Sequence, residues 1–178
     1  MVATRLGFRH KRNENVFYDS PRREKQFIIQ KCGRENWQKF RRYHYLNTEE
    51  LPSASQCFGL YENENIIGFI AVLHQPHGIN KKIKRCSRLV ILPDYQGIGL
   101  GRKFLESIAK LYISQGYDFT ITTTAKNLIN ALRKSNDWCM MRYGVNKCLS
   151  VKSAIDYNRK SLRTQCKTAS FIYIKKKE

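Results

Sequence analysis

A turn rich in glycine, near the middle of the chain, is the strongest candidate for chemistry. Glycine occupies positions 97, 99 and 101, directly after Gln96. An apolar, strand-like run precedes the turn, and apolar residues at helical spacing follow it from Arg102. A strand, turn and helix in succession expose backbone N–H groups at the amino end of the helix, and glycine leaves room for a ligand. The sequence therefore predicts a phosphate site, for which a pyrophosphate is the natural ligand.

Two familiar phosphate-binding turns do not fit this stretch. No Gly-Lys-Ser/Thr ends the turn, as a P-loop would require, and a dinucleotide-binding turn needs its third glycine later than Gly101. A glycine-rich turn taken alone is also compatible with a tight connection that binds nothing. The surrounding sequence has to decide between these interpretations.

The whole run from Leu89 to Arg102 resembles motif A of the GNAT N-acetyltransferases. It reads LVILPDYQGIGLGR. An apolar strand, a proline, two variable residues, a glutamine and the alternating glycines fill every marked position of that motif. The flanks agree, because residues 57 to 73 resemble the family's hairpin and residues 102 to 114 its cofactor helix. The resemblance is strong over residues 57 to 125 and extends over about 27 to 174.

This resemblance implies a mixed α/β GNAT fold, with a splayed strand pair at the cofactor site, and acetyl-CoA as the acyl donor. The pyrophosphate would bind the turn and the start of the helix, through Gln96, Gly97, Gly99, Gly101 and Arg102. Val90 and Ile91 would align the pantetheine arm in the gap between their strand and residues 119 to 123. The backbone N–H of Ile91 would polarise the acetyl carbonyl as an amine attacks.

Direct transfer also needs an acid and a base within reach of the reacting atoms. Many relatives carry a tyrosine about one turn into the helix after the splayed strand, but residues 127 to 138 contain none. The candidates for catalysis are therefore Ser135 in that region, Tyr143 and Tyr117 from elsewhere, and His74 as the base.

Further candidates come from the hairpin and from the segment after the first helix. Glu62 and Glu64 lie in the hairpin turn, where solvated charge is the simpler interpretation. His44 and Tyr45 follow a helix where the family covers its acceptor site, and His44 is a second candidate base. We expect these two residues to bind substrate, although aromatic neighbours are equally compatible with a core anchor.

The elements that must position these residues follow from apolar periodicity and turn residues. Predicted strands cover 27–29, 57–61, 66–73, 87–92, 119–123, 138–145 and 170–174, and predicted helices cover 37–44, 102–114 and 125–135. The strands at 87–92 and 119–123 should be parallel, because a helix joins them. Residues 1–25 are predicted to be a partly ordered basic arm, and residues 26–178 a single domain, which suits a chain of 178 residues.

The charge of the chain is strongly positive and unevenly distributed. It has 33 Lys and Arg against 14 Asp and Glu, a formal charge of +19. Residues 1–42 hold 12 basic and 4 acidic groups, and residues 142–178 hold 10 and 2, whereas residues 43–80 hold no Lys or Arg. Such a field attracts polyanions. We expect RNA or an RNA-associated protein as a partner.

Six cysteines show no zinc-ligand spacing, and no apolar run is long enough to span a membrane. We therefore expect no metal, no membrane partner, and a reducing cytoplasm as the compartment. The predicted function is acetyl-CoA-dependent N-acetylation of a primary amine, on a protein or an RNA-linked amine rather than on a small cation. The alternative is an inactive GNAT scaffold that binds nucleic acid or serves in assembly.

Overall fold

The fold is given by a computed structural model that describes residues 16–18, 27–44, 50–145 and 167–174. This part of the chain forms eight strands and three α-helices. The strands are β1 (Val16–Tyr18), β2 (Phe27–Lys31), β3 (Gln56–Glu62), β4 (Asn65–His74), β5 (Ile83–Ile91), β6 (Asp118–Thr123), β7 (Trp138–Val145) and β8 (Lys167–Tyr173). The helices are α1 (Trp37–Phe40), α2 (Leu100–Ser114) and α3 (Lys126–Arg133), and 3-10 turns cover Arg34–Asn36, Arg41–Tyr43 and Pro93–Tyr95.

All eight strands belong to one mixed sheet, in the order β1-β2-β3-β4-β5-β6-β8-β7. Every neighbouring pair is antiparallel except β5 and β6, which are parallel. Helix α2 connects those two strands, as a parallel crossover requires. The sheet therefore has one place, between β5 and β6, where the chain leaves the plane and returns through a long helix.

The sheet is covered on both faces, which explains why β4 is apolar along its whole buried length. One core cluster joins α2 and α3 to the sheet and includes Phe104, Leu105 and Phe119. The other joins α1 to the opposite face, where Phe69 of β4 lies 5.7 Å from both Trp37 and Phe40, measured between ring centroids. We call these two sides of the sheet the α2 face and the α1 face.

The sequence-based elements are confirmed, and so is the mixed α/β fold class. The predicted helix at 37–44 is divided into α1 and a 3-10 turn, and the predicted closing strand begins three residues earlier, at Lys167. Strand β1 lies inside the predicted arm and pairs with β2. The domain boundary at residue 26 stays a prediction, because residues 19–26 lie outside the described part.

No helix in the described part of the chain is long and apolar enough to cross a membrane. The same residues contain no cluster of three or more His, Cys, Asp or Glu side chains that could hold a metal ion.

Candidate active site

Strand β5 loses its second partner halfway along its length. It pairs with β6 only from Ile83 to Cys86, whereas its pairing with β4 continues to Ile91. The register with β4 shifts at this point, because Ala71 opposes Arg88 while Val72 opposes Cys86, so Ser87 is the extra residue of a β-bulge. From Ser87 onward the described strands leave a gap on the β6 side of β5.

The backbone of β5 alternates between β4 and this gap. Leu92 N–H donates to the carbonyl of Ile67 at 2.9 Å. The backbone N–H and C=O groups of the even-numbered residues at this end of β5 are therefore directed toward β4. The backbone groups of Val90 are therefore directed at Phe69, its partner on β4. Those of Leu89 and Ile91 are directed into the gap, and Gln96 Nε2 donates to the Ile91 carbonyl at 2.7 Å. The gap thus presents an extended edge that includes the N–H groups of Leu89 and Ile91.

The gap opens into a cleft with three walls. Its lining residues come from the unpaired part of β5, the end of β6 and the start of α3, with His44 added from the α1 face, namely His44, Cys86, Ser87, Arg88, Leu89, Ile121, Thr122, Thr123, Ala125 and Leu128. The hydroxyl of Thr123 accepts a hydrogen bond from Ala125 N–H at 3.1 Å, which fixes the turn from β6 into α3. The cleft is therefore placed between separated parallel strands.

The glycine turn lies at the end of β5 and leads directly into α2. Gly97 and Gly99 have φ angles of +86° and +84°, a region that favours glycine, and beyond their neighbours in the chain no atom lies within 4 Å of where their Cβ atoms would be. Lys103 N–H donates to the Gly99 carbonyl, so the helix begins there. The N–H groups of Leu100, Gly101 and Arg102 precede the first helical bond and point out of the helix. This arrangement is suited to a phosphate.

The side chains around the turn have structural partners. Gln96 N–H donates to the Pro93 carbonyl at 3.1 Å, and its side-chain amide holds the Ile91 carbonyl. That N–H closes the preceding 3-10 turn, which disfavours the predicted contact of the Gln96 backbone amide with pyrophosphate, and the contact stays a prediction. Arg102 forms an ion pair with Glu106 at 3.1 Å, one turn further along α2. Gly101 lies close to β5, since a Cβ there would be 3.6 Å from Ile91 Cγ1.

His44 lies at the α1 side of the cleft and is 8% exposed. The 3-10 turn positions it, because His44 N–H donates to the Arg41 carbonyl at 3.1 Å. Its ring meets that of Trp37 edge to face at 5.5 Å, and the guanidinium of Arg88 lies 5.8 Å from the Trp37 ring. The structure thus places the predicted substrate-binding His44 in the cleft, whereas Tyr45 lies outside the described residues.

The three residues predicted for catalysis lie elsewhere. His74 is exposed at the end of β4, opposite Lys84. Ser135 accepts a hydrogen bond from Asp137 N–H in the connection after α3, and Tyr143 is 50% exposed on β7. None of the three is among the residues that line the cleft. The three residues are not close to one another, and none of them lies at the gap between β5 and β6.

Glu62 also differs from its expected place in a solvated turn. It ends β3, and one of its carboxylate oxygens accepts a hydrogen bond from the Tyr95 hydroxyl. This hydrogen bond to the carboxylate raises the pKa of Tyr95. The pair connects the β3 end to the turn that precedes the glycines, so Glu62 serves the shape of the site.

Cys86 lines the cleft but is poorly suited to nucleophilic attack. Its thiol donates to the Arg88 carbonyl at 3.3 Å, and burial raises its pKa to about 12. Because the thiolate is the nucleophile, a protonated Cys86 argues against a covalent acyl-cysteine in this site. Cys86 and Leu89 were both missed in the sequence, because the bulge at Ser87 that sets the direction of their backbone groups is seen only in the pairing with β4.

The site combines separated strands, an exposed backbone edge and a turn that is suited to a phosphate. Together these features define a class of protein that holds a phosphate-bearing carrier chain in extended form. A family model described as the acetyltransferase (GNAT) family matches residues 17–133, and the chain belongs to this family. A comparison with curated protein sequences gives no match.

Solved structures share the fold at low sequence identity. The ribosomal-protein-S18-alanine N-acetyltransferase from Escherichia coli aligns with a TM-score of 0.60 and 15% identity, over 83% of this chain and 92% of its own. A GNAT family acetyltransferase from Elizabethkingia anophelis with acetyl-CoA bound gives 0.59 and 10%, over 83% and 97%. A Bacillus subtilis acetyltransferase in complex with CoA gives 0.59 and 8%, over 82% and 96%. At these identities the likeness concerns the fold.

Proposed function

We propose that the chain transfers an acetyl group from acetyl-CoA to a primary amine. The observation that carries this proposal is the β6 side of β5 from Ser87 to Ile91, which has no strand partner among the described residues and leads through one 3-10 turn to the glycine turn. An extended arm with amide groups can pair with such an edge as an added strand would. A pyrophosphate at the end of that arm would meet the start of α2.

The geometry supports a revised assignment of the cofactor residues. The pyrophosphate would be bound by the N–H groups of Leu100, Gly101 and Arg102, with Gly97 and Gly99 leaving it room. Ile91 lies against Gly101 and therefore near the phosphate end of the arm. Leu89 lies two residues further into the cleft, near the reacting end, and takes the role first given to Val90.

The chemistry at the reacting end is a direct transfer. The Leu89 N–H, rather than that of Ile91, would donate to the acetyl carbonyl oxygen and stabilise the charge that develops there. The amine nitrogen forms a bond to the carbonyl carbon, the carbon–sulfur bond breaks, and His44 accepts the proton that the nitrogen loses. The thiolate released is protonated as CoA leaves. The protonated state of Cys86 favours this route over a covalent intermediate.

The acceptor fits a macromolecule better than a small cation. The formal charge of +19 repels a free polyamine, and it attracts an amine that is carried on a polyanion or on a protein bound to one. Free thiols at Cys32, Cys57, Cys86 and Cys139 suit a reducing cytoplasm. We place the enzyme there, with residues 26–178 as its catalytic domain.

The test combines binding and transfer. Calorimetric titration of the full chain with acetyl-CoA should give one site, and incubation with labelled acetyl-CoA and cell extract should move the label to an amine. Binding without transfer to any fraction would contradict the proposed activity. Absence of binding would contradict the site itself.

One observation favours the alternative of an inactive scaffold that binds nucleic acid. None of His74, Ser135 and Tyr143 lines the cleft, and the region expected to supply a catalytic tyrosine has none. A scaffold of this kind would bind acetyl-CoA and RNA without turnover. The labelled transfer experiment separates the two functions.

A further inference from the structure

The reacting end of the cleft opens onto a surface rich in arginine on the α1 face. We call Arg41, Arg42, Tyr43 and Arg88 the arginine surface. Arg41, Arg42 and Tyr43 form the exposed 3-10 turn that ends at His44, and Arg88 follows the bulge of β5. His44 and Arg88 both line the cleft. The surface is therefore continuous with the site where an amine must be placed.

The two faces of the sheet divide the site between the two substrates. Leu89 and Ile91 direct their side chains into the cluster under α2, so the phosphate turn belongs to the α2 face. Val90 packs in the cluster under α1, and Arg88 lies over Trp37 on the same side. A cofactor bound through the start of α2 leaves the α1 side of the cleft, at His44 and Arg88, available to the second substrate. The acceptor is thus expected to approach across the arginine surface.

The two chain segments that bring His44 and the start of α3 to the cleft carry mainly positive charge. Residues 31–44 hold five basic groups and one acidic group, and residues 124–134, which include α3, hold three basic groups and none that is acidic. Residues 43–80 hold four Glu and no Lys or Arg. A free ammonium would be repelled by the arginine surface, whereas an amine on a chain of phosphates would be attracted.

Aromatic exposure distinguishes RNA from an acidic peptide as the anionic carrier. Tyr43 is 38% exposed, and the Arg42 guanidinium lies 4.6 Å from the centre of its ring. Exposed tyrosine and stacked guanidinium planes bind unpaired bases, which an acidic peptide does not offer. We propose that the acceptor amine is carried on single-stranded RNA, which lies across the arginine surface with the amine directed at His44. This inference rests on the proposed acetyltransferase function.

The first experiment measures RNA binding by the full chain as a function of salt. The probe is a labelled single-stranded RNA of about 16 nucleotides. Arg41→Gln with Arg42→Gln removes two phosphate contacts, and should lower the slope of log K against log salt by about 1.4. Tyr43→Ala should weaken binding about tenfold, with an unchanged slope, because it removes a stacking surface and no charge. Lys81→Gln with Lys82→Gln is the matched control, since both lysines are exposed ahead of β5.

An unchanged slope and affinity in the control would support the arginine surface. Equal losses in the two double variants would overturn it, because the attraction would then be a property of the whole charged molecule. An unaffected Tyr43→Ala variant would overturn the stacking of bases on this surface.

The second experiment identifies the molecule that receives the acetyl group. It tests the RNA acceptor separately from the proposed acetyltransferase activity. Labelled acetyl-CoA is incubated with the wild-type chain and with fractionated cell RNA and protein. Label in RNA, reduced at least tenfold by Arg41→Gln with Arg42→Gln at unchanged acetyl-CoA affinity, is the expected result. Label in protein alone would overturn the RNA acceptor while leaving the acetyltransferase intact. Failure of the wild-type chain to bind acetyl-CoA would overturn both.

Discussion

The two ends of the cleft are built from different parts of the chain. At the proposed cofactor end, the groups offered to a ligand are backbone N–H groups of β5 and α2, and the side chains of Gln96 and Glu62 hold the turn through hydrogen bonds. At the proposed acceptor end, the groups offered are the side chains of His44, Arg88 and the 3-10 turn before His44. The first end depends on backbone geometry, and the second on which side chains the fold brings together.

This difference predicts how each end responds to substitution. A backbone site tolerates side-chain replacement wherever the new side chain points away from the ligand, and it fails when a Cβ or a charge enters the space of the ligand. A side-chain site fails when one functional group is removed, even if the backbone does not move. The following substitutions test that contrast, beginning with the largest effect.

Gly99→Glu should abolish acetyl-CoA binding. The residue has a positive φ at the start of α2, and open space lies where its side chain would project. A carboxylate about 4 Å from a phosphate would repel it by about 4 kcal/mol, a loss of about 1,000-fold in affinity. Calorimetric titration measures the change. Gly78→Glu is the control, because its Cβ would also meet no atom within 4 Å and it lies far from the turn. Equal affinity in the two variants would refute the placement of the pyrophosphate.

Leu89→Pro tests the polarising N–H without removing a bond of the sheet. Its N–H is directed into the gap, so proline should preserve the pairing with β4 and still remove one donor to the acetyl oxygen. We expect kcat to fall about 100-fold to 1,000-fold with little change in Tm. Val90→Pro should instead lower Tm, because the N–H of Val90 is directed at Phe69. A folded Leu89→Pro variant with normal kcat would return the polarising role to Ile91.

The strand, turn and helix of the proposed cofactor end could be predicted from the sequence, because backbone sites leave local signatures. Strand periodicity, a proline and glycines at 97 and 99 specify a strand, turn and helix without knowledge of distant contacts, and the structure has them where predicted. The finer assignments of Val90 and Gln96 stay predictions, which the backbone hydrogen bonds disfavour. Their roles depend on the register with β4 and on a hydrogen bond to Pro93, which no local pattern encodes.

The acceptor end was less predictable for the same physical reason. The neighbours of His74 and His44 in the sequence do not show which of the two histidines reaches the cleft. Only the packing of α1 on β4, through Phe40 and Phe69, brings His44 to the gap in β5. His74 lies at the far end of its strand and is exposed to solvent. Tertiary contacts of this kind cannot be derived from periodicity.

His44→Ala should lower kcat about 100-fold and leave acetyl-CoA affinity unchanged, because it removes the proposed proton acceptor at the acceptor end. Loss of a proton acceptor lowers kcat, whereas loss of a group that only binds the acceptor raises KM. Steady-state kinetics, together with calorimetric titration with acetyl-CoA, would separate the two effects. His74→Ala is the matched control and should retain the wild-type kcat. A raised KM for the acceptor with an unchanged kcat would reduce His44 to a substrate-binding role beside Trp37.

Cys86 gives the smallest expected effect, at the position where the β5–β6 pairing ends and the cleft begins. Burial raises its pKa from 9.0 to about 12 in the folded chain. The folded state therefore holds the thiol proton more tightly than the unfolded state does. The contribution of Cys86 to the free energy of unfolding is therefore complete below pH 9, and it is lost as pH rises from about 9 to 12. Urea midpoints at pH 8 and pH 10 should differ less for Cys86→Ala than for the wild-type chain. If the two chains show the same difference in urea midpoint, the Cys86 thiol is more accessible to water than its burial indicates. The separation of β5 from β6 would then begin before Ser87.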